Sequence, residues 1–365
     1  MRVAQVMAGA AVGGAELFFE RLCLALHGAG EEVLPVLRRD AGREARLRAG
    51  GLPSVPLRFG GPLDLFTAPR LRGALRRFRP AVTVAWMNRA ARFAAAATPT
   101  PHPWTLVGRL GGYYDLRYYA NCDHLVANTR DLCGWIAAQG WPAGRVHHLP
   151  NFAPDLRGAA PAALPRRPGL RRLLAMGRLH RNKGFDLLLR ALPMLPDTQL
   201  FLAGEGPERA ALEQLAAELG VAGRVTFLGW REDTAALLAA CEVMVCPSRH
   251  EPLGNVVLDA FSAARPLVAT AAQGPSELVT DGENGLLVPV EAPDALAAAI
   301  GRVLADAALA KRLAAGGRAA FTAHHAEGPV VAQWRGFLAA VAPGGSRAAA
   351  AGGSERDALL SGSAG

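Results

Sequence analysis

Lysine is almost absent from this chain, which sets 40 basic residues against 31 acidic ones yet carries Lys only at Lys183 and Lys311. The remaining basic residues are arginines in a background rich in Ala, Gly and Pro, the composition of a GC-rich coding bias. Part of the net charge of +9 and of the pI near 10 is therefore drift. What is left points to anionic partners such as phosphates or an acidic membrane surface. Nucleic acid is set aside, because no aromatic platform or recognition motif accompanies the charge.

The cysteines, at 23, 122, 133, 241 and 246, are odd in number and lack any C-x-x-C or Cys/His zinc spacing. That favours a reduced, cytoplasmic protein. The opening MRVAQVMAGAAVGGAE has too short an apolar stretch for a signal peptide, and no run of 18 or more apolar residues follows. G-x-G-x-x-G and Walker A sequences are missing, which argues against a dinucleotide cofactor and ATP hydrolysis.

What is present is 365 residues of 51% hydrophobic composition, enough for about two domains. RVAQVMA reads as a buried strand, GAAVGG as a turn and AELFFERLCLALHGAG as an amphipathic helix closed by glycine. Strands EEVLPVL, AVTVAWM and HLVANT continue the alternation, with helices RLRGALRRF and DLCGWIAAQG. Near 151–169 a Pro/Ala/Arg stretch without period reads as a linker. The pattern then restarts with LLAMG, TQLFLAGEG, RVTFLGW, VMVCPS and RPLVAT as strands. The expectation is an α/β protein of two doubly wound, Rossmann-like parallel-sheet domains facing a central cleft, at 1–165 and 166–325. A last helix at 326–342 and a disordered tail at 343–365 follow.

Three strand-to-helix turns carry candidate chemistry. GAAVGGAE, with Gly13 and Gly14, offers free N–H groups at a helix start, suited to an anion or to a plain tight turn. GRLHRNKGFDLLL sets Arg178 and Lys183 around a loop entering a helix, a clamp for a diphosphate or an exposed basic loop. In HEPLGNVVLDAF, Glu251 stays on the loop while Gly254, Asn255 and Val256 open a helix that carries Asp259. Carboxylates there suit sugar hydroxyls, although a solvated Glu and a dipole-complementing Asp would look the same.

The second and third motifs, with LFLAGEGPERAALEQLAAELGV and GPSELVTDGENGLLVP, resemble the nucleotide-binding domain of family 4 glycosyltransferases of GT-B fold. The likeness runs without a gap over about 173–290, and a looser one, through GGAE and RLGGYYDLRYYANCDHLVANT, extends it to about 1–340. It implies a retaining, metal-independent transferase that uses a nucleotide-diphosphate sugar as co-substrate, UDP-sugar ahead of GDP-sugar. Glu251 then contacts donor-sugar hydroxyls and Asp259 the ribose. Arg178 and Lys183 grip the diphosphate, Gly254, Asn255 and Val256 line the donor site, and Gly13 and Gly14 close over it. The departing phosphate oxygen itself takes the acceptor's proton in a front-face mechanism. Asp259 departs from the usual Glu by one methylene, roughly 1.3–1.5 Å of reach. Where many members carry a histidine, LVGRLGGYY offers Arg109 and two glycines, and Asn88, Arg109, Tyr113 and Asn128 are candidates for the acceptor side.

The resemblance also implies a glycan or lipid-linked acceptor of the cell envelope, in lipopolysaccharide or exopolysaccharide synthesis. It implies a last helix that crosses back to the first domain, anchored by Trp334 and Phe337. PRLRGALRRFRP, with Arg72, Arg76 and Arg79 near one helical face, suits a peripheral contact with an anionic membrane on its inner face, or a solvated surface. A nucleotide-sugar 2-epimerase of the same fold and a non-catalytic nucleotide-sugar-binding subunit are the rival readings.

Overall fold

All thirteen strands among the described residues run parallel, in two separate sheets. The structure, a computed structural model, describes residues 1–10, 13–61 and 63–344; the tail expected at 343–365 lies outside them from 345 onward. Contacts divide the chain into two compact units, one of Met1–Asn151 with 328–344, the other of Phe152–Glu327.

The first unit holds β1 (Arg2–Met7), α1 (Gly14–Gly28), β2 (Glu32–Arg38), α2 (Ala41–Ala49), β3 (Val55–Leu57), α3 (Thr67–Phe78), β4 (Val82–Trp86), α4 (Met87–Ala97), β5 (Thr105–Leu110), β6 (His124–Ala127), α5 (Arg130–Ala138) and β7 (Val146–His148). Its sheet order is β3-β2-β1-β4-β5-β6-β7. Every residue of β4 is buried, as a parallel sheet covered on both faces requires. On α1, Phe18, Leu22 and Leu26 recur at i, i+4 and i+8 with Phe19 and Cys23 beside them, so one stripe of the helix is buried against the sheet.

The second unit holds β8 (Arg171–Met176), α6 (Phe185–Ala191), β9 (Thr198–Ala203), α7 (Arg209–Glu218), β10 (Val225–Gly229), α8 (Thr234–Ala240), β11 (Val243–Cys246), α9 (Asn255–Ser262), β12 (Leu267–Thr270), α10 (Gln273–Leu278), β13 (Leu286–Val288), α11 (Pro293–Ala305) and α12 (Ala307–Ala320). The order β10-β9-β8-β11-β12-β13 reverses direction between β8 and β11. Such a switch point leaves a crevice at the carboxyl ends of the two strands, the usual ligand position in an open α/β sheet.

The division falls at Asn151/Phe152, earlier than the expected 165/166. Residues 152–170 do lack regular elements, as their composition requires, but they are strapped to the second unit. The Leu156 N–H donates to Ser262 Oγ at 3.0 Å, the Ala162 N–H to the Ala236 carbonyl at 2.9 Å, and Arg318 grips the Asp155 carboxylate at 2.9 and 2.7 Å.

The last helix, α13 (Glu327–Val341), packs on the first unit. Trp334 is fully buried, Phe337 lies against the His147 ring at 4.8 Å, and Arg335 Nε donates to Glu31 Oε1 at 2.8 Å. The Thr105 hydroxyl donates to the Val341 carbonyl at 2.6 Å, closing the helix end. None of the described helices is long and apolar enough to cross a membrane. Trp334→Ala is expected to lower the unfolding free energy by about 3–5 kcal/mol in urea. A loss below about 1 kcal/mol would mean that the indole does not anchor α13.

Candidate functional site

The second unit brings three loops together at the switch point. Gly184, with φ 62°, caps α6 in the left-handed region, and a Cβ there would lie 2.0 Å from the Pro247 carbonyl oxygen. Only glycine permits both the conformation and that approach. The loop after β8 is tied to the loop after β11 by the Arg249 and His250 N–H groups, which donate to the Asn182 carbonyl at 2.8 and 3.1 Å. From the β12 side, the Gly274 N–H donates to the Glu251 carbonyl at 2.7 Å, and Gln273 Oε1 accepts from the Glu251 N–H at 3.3 Å.

In this frame Lys183 Nζ donates to Glu251 Oε2 in a short ion pair, with Ser248 Oγ donating to the same oxygen at 3.3 Å. The Glu251 side chain is 11% exposed and that of Lys183 26%. A carboxylate so far removed from water needs its cation. Gly254, with φ 88°, caps α9, and Asn255 and Val256 form its first turn, where N–H groups have no intrahelical acceptor. Asp259 sits half-buried on the second turn of α9. Arg178 is exposed on the β8 loop and makes no hydrogen bond or ion pair with another described residue.

Arg249, beside Glu251, plays a part that its sequence position did not reveal. Its guanidinium holds Asp186, in the first turn of α6, at 2.5 and 2.7 Å and also reaches Glu291. Those bonds to Asp186 and Glu291 push the Arg249 pKa up. Burial raises the Asp186 carboxyl, and the bonds from Arg249 more than offset it, so its pKa is lowered. The arrangement is a brace between the two loops that carry Lys183 and Glu251.

In the first unit, the loop after β1 is organised by a residue within the protein. Glu16 is buried, its Oε1 accepts from the Ala10 N–H at 2.8 Å, and a Cβ at Gly9 or Gly13 would lie 2.2 Å from one of its carboxylate oxygens. The glycines thus make room for a buried carboxylate, with Gly14 starting α1 above it. Below, Arg43 donates to the Ala10 carbonyl at 3.0 Å and, with Arg46, to Glu20. Burial alone would raise the Glu20 carboxyl; bonds from Arg46 and Arg43 outweigh it and lower its pKa.

Of the expected acceptor-side residues, Arg109, Asn88 and Asn128 end up at neighbouring strand ends, whereas Tyr113 donates to Asp131 and stacks edge-on with Trp135 of α5. Arg109 is 1% exposed, donates to Asn151 Oδ1 at 2.6 Å, and lies under the Trp86 ring at 4.6 Å. Burial draws its pKa down to about 10.

A further surface follows β3. Leu63, Leu65 and Phe66 are 93%, 77% and 61% exposed, while Asp64 turns inward, accepting from Gly60 N at 2.7 Å and from the Thr67 hydroxyl at 2.6 Å. Arg70 sits 5.8 Å over the Phe66 ring, and Arg76, Arg77 and Arg79 are exposed nearby in sequence. Arg72 is not part of a free basic face, because it caps α4 through the Ala96 and Ala97 carbonyls at 2.8 and 3.1 Å.

Two doubly wound parallel sheets, one with a cation and a carboxylate set at its switch point, define a GT-B type architecture. Solved structures agree on the fold: Anabaena Alr3699/HepE in complex with UDP superposes with a TM-score of 0.81 at 21% identity, covering 93% of this chain and 99% of that one. The lipopolysaccharide outer core galactosyltransferase WaaB gives 0.75 at 17%, with coverage of 93% and 99%. Residues 171–306 match the family described as Glycosyl transferases group 1, and residues 12–155 match Glycosyltransferase Family 4. The lipopolysaccharide core biosynthesis glycosyltransferases LpsE and LpsD of Rhizobium meliloti (strain 1021) are 36% and 37% identical, over 83% and 84% of this chain and 88% and 89% of theirs. The chain belongs to the family 4 glycosyltransferases.

Lys183→Ala strands the Glu251 carboxylate and is expected to cost about 1–3 kcal/mol of stability. Adding Glu251→Gln should recover most of that loss in denaturant unfolding. Equal stability of Lys183→Ala and the wild type would show that the pair carries no structural weight.

Proposed function

We propose that the protein transfers a sugar, with retention of anomeric configuration, from a nucleotide-diphosphate sugar to a glycan or lipid-linked acceptor of lipopolysaccharide core synthesis. The observation that carries this reading is the Lys183–Glu251 pair, held at the carboxyl ends of β8 and β11. In the free protein each group satisfies the other. When donor binds, the diphosphate takes Lys183 and Arg178, and sugar hydroxyls take Glu251. Lys183 thus exchanges a carboxylate for a phosphate, Glu251 exchanges an ammonium for neutral hydroxyl donors, and neither is left without a partner.

The N–H groups of Asn255 and Val256, after Gly254, add donors at the positive end of α9. Asp259 takes the ribose. The C1–phosphate bond breaks as the acceptor oxygen bonds to C1 on the same face, and the acceptor's proton passes to the departing phosphate oxygen. Charge growing on that phosphate is stabilised by Lys183 and Arg178, the work a metal would otherwise do. UDP is favoured over GDP, supported by fold neighbours solved with UDP and with UDP-glucose. The lipopolysaccharide assignment draws on LpsE and LpsD.

A lipid-linked acceptor fits a peripheral contact with anionic membrane through Leu63, Leu65 and Phe66 beside the arginines of α3. An exposed apolar tip gains free energy by entering the interface, and the basic residues add attraction to anionic headgroups.

Calorimetry with UDP, GDP and their sugar conjugates tests the donor site. Lys183→Ala is expected to weaken the diphosphates tenfold or more, and Glu251→Ala to remove mainly the extra affinity of the sugar conjugate. No binding of any nucleotide sugar would overturn the reading, and conversion of donor without acceptor would favour an epimerase. In flotation, vesicles containing phosphatidylglycerol should carry the wild type, whereas Leu63→Ser/Leu65→Ser/Phe66→Ser should stay in solution. Equal flotation of both would remove the membrane contact.

A further inference from the structure

We propose that the first unit holds a site for an anionic sugar, a carboxylated or phosphorylated residue of the acceptor, built from Arg109, Asn88 and Asn128 around Gly111. The proposal rests on the glycosyltransferase reading, since the sugar is taken to belong to the acceptor.

Register places these residues together. Arg109 of β5 pairs with Trp86 of β4 on one side and Val126 of β6 on the other. Asn88 and Asn128 each lie two residues beyond those partners, as Gly111 lies two beyond Arg109. Gly111 and Asn128, just after β5 and β6, and Asn88, in the first turn of α4 just after β4, therefore follow three adjacent strand ends in a row, with Arg109 on the middle strand.

Their polar atoms are unmet. Arg109 Nε, Asn88 Oδ1 and Asn128 Oδ1 are buried without a hydrogen-bond partner, and Arg109 and Asn128 are only 1% and 4% exposed as residues. Arg109 has the neutral amide of Asn151 and the faces of Trp86 and Phe18 around it, and makes no ion pair with a described carboxylate. A buried cation stabilised only by neutral dipoles and aromatic faces is incompletely compensated, so an anion brought beside it is bound with little competition from water. The other buried arginine among the described residues of this unit, Arg43, is treated differently, since it has Glu20.

Glycine at 111 lets the guanidinium lie close against the backbone. A Cβ there would lie 2.7 Å from Arg109 Nη1, so a larger residue would displace the guanidinium. The two amide oxygens beside it suit sugar hydroxyls, which donate where a carboxylate or phosphate cannot. The arrangement thus fits a molecule with one anionic group and adjacent hydroxyls.

The test titrates D-glucuronate, D-glucose 6-phosphate and D-glucose into the full chain saturated with UDP, so that the donor loops are filled. The wild type is expected to bind at least one anionic sugar tenfold or more tighter than glucose, and which one separates carboxylate from phosphate. Arg109→Gln should erase that preference, and Asn128→Asp, which adds negative charge to the row, should weaken the anionic sugars while raising or preserving Tm. If Arg109→Gln fails to fold, Asn128→Asp decides. A wild type that binds all three alike, or a preference that survives in the folded variants, overturns the proposal. UDP binding measured in the same samples separates this failure from that of the donor site.

Discussion

The buried carboxylate of Glu251 is the constraint around which the second unit is arranged. Removed from water, it must have a cation within contact distance, and that cation comes from a loop 68 residues earlier in the chain. The two loops therefore have to meet. Gly184 lets the backbones touch, the Asn182 carbonyl gathers two N–H groups from the partner loop, and the Arg249–Asp186 bonds lock the joint from the outside. Each of these would be unremarked alone; together they hold one charge in place. The scarcity of lysine sharpens the point. A compact ammonium on a flexible stem can leave a carboxylate for a phosphate with little rearrangement, whereas an arginine fork bound in two places resists it.

Such a joint makes binding at one end of a ligand felt at the other. On the reading proposed above, a diphosphate that draws Lys183 away leaves Glu251 without compensation until sugar hydroxyls arrive. Nucleotide alone must then bear the cost of breaking the pair, and nucleotide sugar bears less of it. Coupling of this sort requires only that the Lys183 side chain move, since the Arg249–Asp186 bonds join the two loops independently of it.

What could be read from the chain and what could not follows from the range of the interactions. The second unit's site is written in contiguous motifs, since a parallel sheet delivers its chemistry at strand-to-helix turns, and GRLHRNKG and HEPLGN each contain their own glycines and charges. Short edge strands such as β3, β7 and β13, three residues each, are too brief to show a period. Residues 152–170 have the composition of a linker, but the groups that strap them down, Ser262 and Arg318, come from distant helices. Arg72 reads as a solvated charge on its own helix; only the fold shows it closing the end of α4. In GAAVGGAE the glycines are visible, whereas the fact that they accommodate Glu16 depends on how α1 is set against the loop.

The buried charges singled out in the two units differ in how far the chain compensates them. In the second, Lys183, Glu251, Arg249 and Asp186 all have charged partners before any ligand binds. In the first, Glu20 is met by Arg43 and Arg46, yet elsewhere in the same unit Arg109 and Asn128 are buried with polar atoms unmet. A fold that compensates one buried ion so thoroughly has no evident structural reason to leave another incomplete. Unmet groups at the carboxyl ends of β4, β5 and β6 occupy the positions where a parallel sheet ordinarily presents its ligand contacts. A molecule bound there would meet polar groups that the chain itself leaves unmet.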